Sequence, residues 1–194
     1  MSQTSAHTST NRTVDGVEVP LPGAYTIDPS HSYVGFVIRH LMVSKVRGQF
    51  TKFSGTVTIG EDPADSSVEV EVELDSVETN DEKRNLHLRS ADFFNTEVHP
   101  TMTFKSTDVR HGKGDAWIVA GDLTLNNLSR PIELEVTYEG SAISPWGAKS
   151  VGFSATGKLN REEFGVNWNQ ALETGGFVVG KDVTLEIEAE AIAL

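Results

Sequence analysis

Two stretches of the 194-residue chain bring together side chains able to ligate metals or move protons. DPSHSYVGFVIRH holds Asp28, Ser30, His31, Arg39 and His40, and DEKRNLHLRS holds Arg84, His87 and Arg89. A hydroxyl nucleophile needs a base within hydrogen-bond reach, and the adjacency of Ser30 and His31 does not by itself supply one. His31 and His40 are nine residues apart on an extended run, roughly 25–30 Å at 3.3 Å per residue, so one ion cannot bind both. A metal centre would need His31 or His40 to meet His87 or His99 and a carboxylate. No HxH, HExxH, GxSxG or GxGxxG spacing is present, and the absence of cysteine removes thiolate chemistry. His7 in a polar N-terminal stretch and His111 in a turn read as solvated. The expectation is no catalytic residue, no metal and no cofactor.

The elements that must position these groups follow a period of two. Val68, Val70, Val72 and Leu74 alternate with acids. Ile132, Leu134, Val136 and Tyr138 do the same, as do Val183, Leu185, Ile187 and Ala189. Each run predicts a strand with one apolar and one wet face. Weaker alternation marks Tyr33–Arg39, Phe50–Ile59, Thr101–Asp108, Trp117–Leu125 and Val151–Leu159, with a short first strand at Ala24–Asp28. No helix recurs between strands, which excludes a parallel α/β sheet and leaves an antiparallel sandwich or barrel. A single helical insert is expected at about 80–94, with Thr79 and Glu82 as a capping box and Leu86 and Phe93 or Phe94 packed inward. Residues 1–22 read as a disordered tail and 23–194 as one domain.

Small residues beside large ones, such as Gly35, Gly121, Ala155, Gly157 and Ala189, point to a barrel with room for a ligand; they also suit a sheet that merely has to curl. The glycine-punctuated run from Phe164 to Gly180 carries Phe164, Trp168 and Phe177. It reads equally as a plug for the barrel end or as a movable lid. A net charge of −12 leaves no basic stripe for nucleic acid. No stretch has the length and apolarity of a signal peptide core or a membrane-spanning helix, so the expected location is cytoplasmic and the protein is not expected to be integral to a membrane.

YTIDPSHSYVGFVIRH, VRGQFTKFSGTV, LDSVETNDEKRNLHLRSADFF, HPTMTFKST and NREEFGV resemble the YceI-like family in order and spacing. Asn126-Asn127 stands where the family commonly has His-Gly, and asparagine tolerates the left-handed conformation such a turn needs. The resemblance implies an all-β, antiparallel eight-stranded, lipocalin-like up-and-down barrel that holds an apolar isoprenoid or lipid ligand, with polyisoprenoids as the type. It also implies that many relatives are periplasmic. On this reading the cavity wall comprises Phe36, Ile38, Phe50, Phe53, Val70, Val72, Leu74, Phe104, Leu123, Phe153, Phe164, Trp168 and Phe177. A polar head would meet His31, Arg39, His40, Arg84, His87 and Arg89. A dozen buried tail carbons would contribute roughly 8–10 kcal/mol before ordering costs. The alternatives are a metal- or redox-linked enzyme using barrel-end histidines, and a ligand-free interaction module. A homodimer is compatible with either.

Overall fold

Wherever apolar residues alternate with acids, the backbone is extended and paired. The structure, a computed structural model, describes residues 10–173 and 175–194. Its strands are β1 (Asn11–Val14), β2 (Val17–Pro20), β3 (Gly23–Ile27), β4 (Tyr33–His40), β5 (Ser44–Phe50), β6 (Phe53–Ile59), β7 (Ser67–Glu73) and β8 (Val77–Glu78). After helix α1 (Glu82–Arg89) come β9 (Thr101–His111), β10 (Ala116–Leu125), β11 (Leu128–Ile143), β12 (Lys149–Asn160) and β13 (Val179–Ala193).

Three of the long strands are kinked, and each kink splits one strand into two labels. β3 and β4 both run antiparallel to β13, Ile27 opposite Ala191 and Phe36 opposite Leu185, with Asp28–Ser32 bulging out between them. β5 and β6 continue one another across Thr51-Lys52, and β7 and β8 across a 3-10 turn at Leu74–Ser76. Counted this way, eight antiparallel strands follow one another around the wall. β13 then pairs with both β12 and β3/β4, which closes the ring. The eight-stranded up-and-down barrel expected from the resemblance is the fold. Closure leaves no free edge among these strands.

The barrel has two different ends. At the helix end lie α1, the β4–β5 tip, the Asn126-Asn127 turn and residues 161–173 and 175–178. At the hairpin end lie β1 and β2, a 3-10 turn at Pro63–Asp65 and the β11–β12 connection. Asn126 and Asn127 are both left-handed (φ 53° and 59°) and join Leu125 to Leu128, as their residue type foretold.

Three expectations need correction. Part of the N-terminal stretch expected to be disordered is a hairpin, β1–β2, turned at Asp15-Gly16; residues 1–9 of the expected tail lie outside the described residues. Its four-residue strands are too short to show a period, although Asp-Gly between them is a strong turn signal. The N-cap of α1 is Asp81, whose carboxylate accepts from the Arg84 amide at 3.0 Å. Thr79 instead donates its hydroxyl to the buried Asn85 at 2.7 Å. Leu86 points outward and is 58% exposed, and Leu88 takes the inward place.

Candidate functional site

The apolar faces of the strands do not fill the space they enclose. A cavity of about 220 Å³ remains inside the barrel. Of the residues expected to form the wall, Phe50, Phe53, Val70, Val72, Phe104, Leu123 and Phe153 line it. The wall also includes residues outside the expected set: Val57 and Ile59 of β6, Met102 of β9, Val119 of β10, Leu134 and Val136 of β11, and Leu185 and Ile187 of β13, together with the small residues Gly35, Ala155 and Ala189. The signal was available for most of them, because Leu134, Val136, Leu185 and Ile187 sit on the apolar faces that the alternation had already identified. Gly121 does not open the lumen. A Cβ there would lie 2.5 Å from the Phe104 ring, so the glycine seats that ring at a register shift between β9 and β10. Gly157 likewise accommodates Leu134.

Six residues predicted for the wall lie elsewhere. Phe36 packs 5.7 Å from Phe50, which lies 5.8 Å from Phe94, and these rings close the lumen toward the helix end. Leu74 and Phe164 are wholly buried in 3-10 turns beyond that closure. Trp168 packs against both His87 and Phe93, at 4.8 and 5.3 Å, and those two rings also touch each other. Ile38 is half-buried on β4 outside the cavity, and Phe177 is 48% exposed. The segment carrying Phe164 and Trp168 is therefore packed as a plug. Phe36 and Phe104 are both aromatic on an apolar strand face, and only what reaches them from across the barrel separates them.

The hairpin end is covered differently. Val19, 3% exposed, and Pro20 face the cavity from β2. Arg12 fastens the hairpin to the barrel, donating to the carbonyls of Glu61 and Gly60 at 2.6 Å each. Tyr138 donates its hydroxyl to Asn11 at 2.5 Å.

The residues expected to meet a polar head do not converge on the lumen. Arg84 donates to the hydroxyl and carbonyl of Thr79. Arg89 donates to the Asp75 carbonyl, and His87 faces Asp92 at 2.8 Å. Arg39 is exposed and His40 half-buried near the β4–β5 tip. None of them lines the cavity.

His31 sits on the bulge between β3 and β4. Its Nδ1 lies 2.7 Å from Asp28 Oδ2 and 3.2 Å from Ser30 Oγ, while Ser30 donates to Asp28 Oδ1 at 2.6 Å. A hydrolytic relay needs one imidazole nitrogen on the carboxylate and the other on the hydroxyl. Here the same nitrogen faces both, so the serine is not activated. Hydrogen bonds from Ser30 and then His31 hold the Asp28 carboxyl down at about 2, and the bond to Asp28 raises His31. Asp28, His31 and Glu190 also bring ligand atoms within 4.8 Å of one another, the one such grouping among the described residues that suits a cation. Sequence reasoning paired His31 with distant histidines and did not foresee Glu190, which only β13 pairing brings alongside.

Arg161 is 4% exposed at the helix end and donates to the Val166 and Gly180 carbonyls at 2.5 and 2.8 Å. Burial lowers its pKa. It ties both ends of the plug to the barrel.

The family model for the YceI-like domain matches residues 25–191. A UPF0312 protein of Staphylococcus aureus (strain N315) is 39% identical over 169 residues, covering 86% of this chain and 95% of that protein. The crystal structure of a Campylobacter jejuni YceI protein superposes with a TM-score of 0.67 at 29% identity, over 81% of this chain and 90% of the other. A polyisoprenoid binding domain from Saccharophagus degradans shares the fold at 16% identity, with a TM-score of 0.64 over 88% of this chain and 98% of its own. The β1–β2 hairpin precedes the matched range.

Proposed function

The chain belongs to the YceI-like family, and from that premise we propose that it binds a long apolar ligand inside the barrel for carriage, storage or sequestration and catalyses no reaction. The ligand is a polyisoprenoid or a related isoprenoid or fatty-acid-like amphiphile. The observation that carries this reading is the cavity, lined almost wholly by aliphatic and aromatic side chains and closed by a continuous wall. Its volume of about 220 Å³ exceeds the roughly 150 Å³ that accepts benzene and falls below the roughly 300–1,000 Å³ of drug-sized sites. A slender tail therefore suits it better than a broad ring system. The Saccharophagus degradans neighbour is a polyisoprenoid binding domain, which supports the same ligand class.

Affinity in such a site comes from desolvating the tail, at about 0.8 kcal/mol per methylene, and needs no reactive group. One methylene more or less changes little, so selection among tails is weak. Native mass spectrometry on protein purified without detergent tests the proposal. A co-purifying apolar mass is expected, displaced by an added long-chain amphiphile. Protein that is empty in every preparation and takes up no such probe would overturn it.

A further inference from the structure

Among the described residues, three hairpins between named strands turn through two consecutive left-handed residues, and one of them uses the wrong residue types. Asp15-Gly16 and Asn126-Asn127 are the kinds of residue that adopt positive φ readily. At the β4–β5 tip the pair is Leu41-Met42, with φ of 50° and 61°, and the Val43 amide donates to the His40 carbonyl at 3.2 Å. Bulky side chains are disfavoured in this conformation, and strain of this kind persists where a site requires it.

What the strained turn achieves is display. Met42 is 58% exposed and Val43 80%, with Leu41 at 39% and the neighbouring Phe177 at 48%. These are not independent loose ends. Leu41 donates its amide to the Val178 carbonyl at 2.8 Å, and Met42 lies against Gly176, so the tip and the plug segment present one apolar face.

The charge around this face opposes that of the whole molecule. Residues 39–47 hold Arg39, Lys45 and Arg47 and no acid, in a chain of net charge −12; residues 170–178 add only Glu173. Arg47 is held by Glu186 at 2.6 Å. Among the described residues, Arg39 and Lys45 form no ion pair.

We propose that the β4–β5 tip, with Phe177, is a docking surface for an anionic lipid bilayer. Leu41, Met42, Val43 and Phe177 enter the boundary between headgroups and acyl chains, while Arg39 and Lys45 meet lipid phosphates. A second copy of the chain is the poorer partner, because a two-fold contact through this tip would set like charges against each other. The proposal goes beyond the lumen and is independent of its contents.

The test is co-sedimentation of the full chain with phosphatidylcholine vesicles, with and without phosphatidylglycerol. The protein is expected to pellet with the anionic vesicles and to be released by salt. Arg39→Gln with Lys45→Gln should weaken this about 25-fold at low salt, about fivefold per cation. Met42→Ser with Val43→Ser should abolish it. Uptake of an alkyl fluorophore without vesicles, and the thermal melt, should be unchanged in both variants; this separates docking from the lumen reading. Wild-type protein that stays in the supernatant with anionic vesicles overturns the proposal. So does a serine variant that pellets like wild type. A concentration-dependent dimer lost in the serine variant, without vesicle binding, assigns the face to a second copy instead.

Discussion

At the helix end, Phe164, Leu74 and Val77 are wholly buried, and Arg161 is buried too and bonded to two carbonyls. At the hairpin end, Val19 and Pro20 close over a cavity, and a few polar contacts from Arg12 and the Asn11 region hold them there. The first end is part of the core. The second is a cover laid on the barrel, contributed by residues that precede the family's matched range. A barrel that encloses a void needs dense packing somewhere else to be stable, and here that packing is gathered at the end with the helix.

The largest effect should come from removing one ring from the packed end and one from the wall of the void. Phe164→Ala is expected to lose about 3–5 kcal/mol in chemical denaturation, because a full cavity is created in packed surroundings. Phe104→Ala, already bordering empty space, should lose mainly transfer free energy, about 1–2 kcal/mol. Equal losses would break the contrast. A smaller effect is expected from Arg12→Gln, which removes hydrogen bonds to two carbonyls and should lower stability by about 1–2 kcal/mol. Its sharper signature is faster release of a lumen-bound alkyl fluorophore in stopped flow; an unchanged rate would mean that the hairpin does not gate the cavity.

The smallest effect concerns the bulge between β3 and β4. Asp28 has a folded-state pKa of about 2 against an ordinary 3.8. Its contribution to stability is therefore present above pH 3.8 and disappears as pH falls toward 2. His31 is raised, so its contribution is complete below its ordinary value of 6.5 and is lost as pH rises through the higher folded value. In Asp28→Asn, the fall of the melting temperature in acid should flatten, and the His31 ring signals in NMR should titrate at a lower pH than in wild type. A variant whose His31 titrates as in wild type would show that Asp28 is not the cause.

Much of the barrel was readable because alternation is local. A strand with one buried face must place apolar residues every second position, so Val68–Leu74, Ile132–Tyr138 and Val183–Ala189 declared their inward sides. The site was less readable. Ile38 and Phe53 both follow the rule, yet only Phe53 touches the void. Strand boundaries drifted where kinks interrupt the period, as at Asp28–Ser32 and Thr51-Lys52. Residue type alone marks Arg84, His87 and Arg89 as able to meet a polar head, yet they satisfy the carbonyls, hydroxyls and carboxylates of their own end of the barrel.

By itself, the sequence determined that the chain is an acidic, antiparallel all-β protein with one short helix, and that Asn126-Asn127 turns through the left-handed region. Those features depend on neighbours within a few residues. Only the tertiary structure decided where the barrel is hollow. A void is the space left after side chains from eight strands and a helical insert have met: Phe36 packs on Phe50, which also meets Phe94, 58 positions beyond Phe36 in the chain. No local period records such a distance.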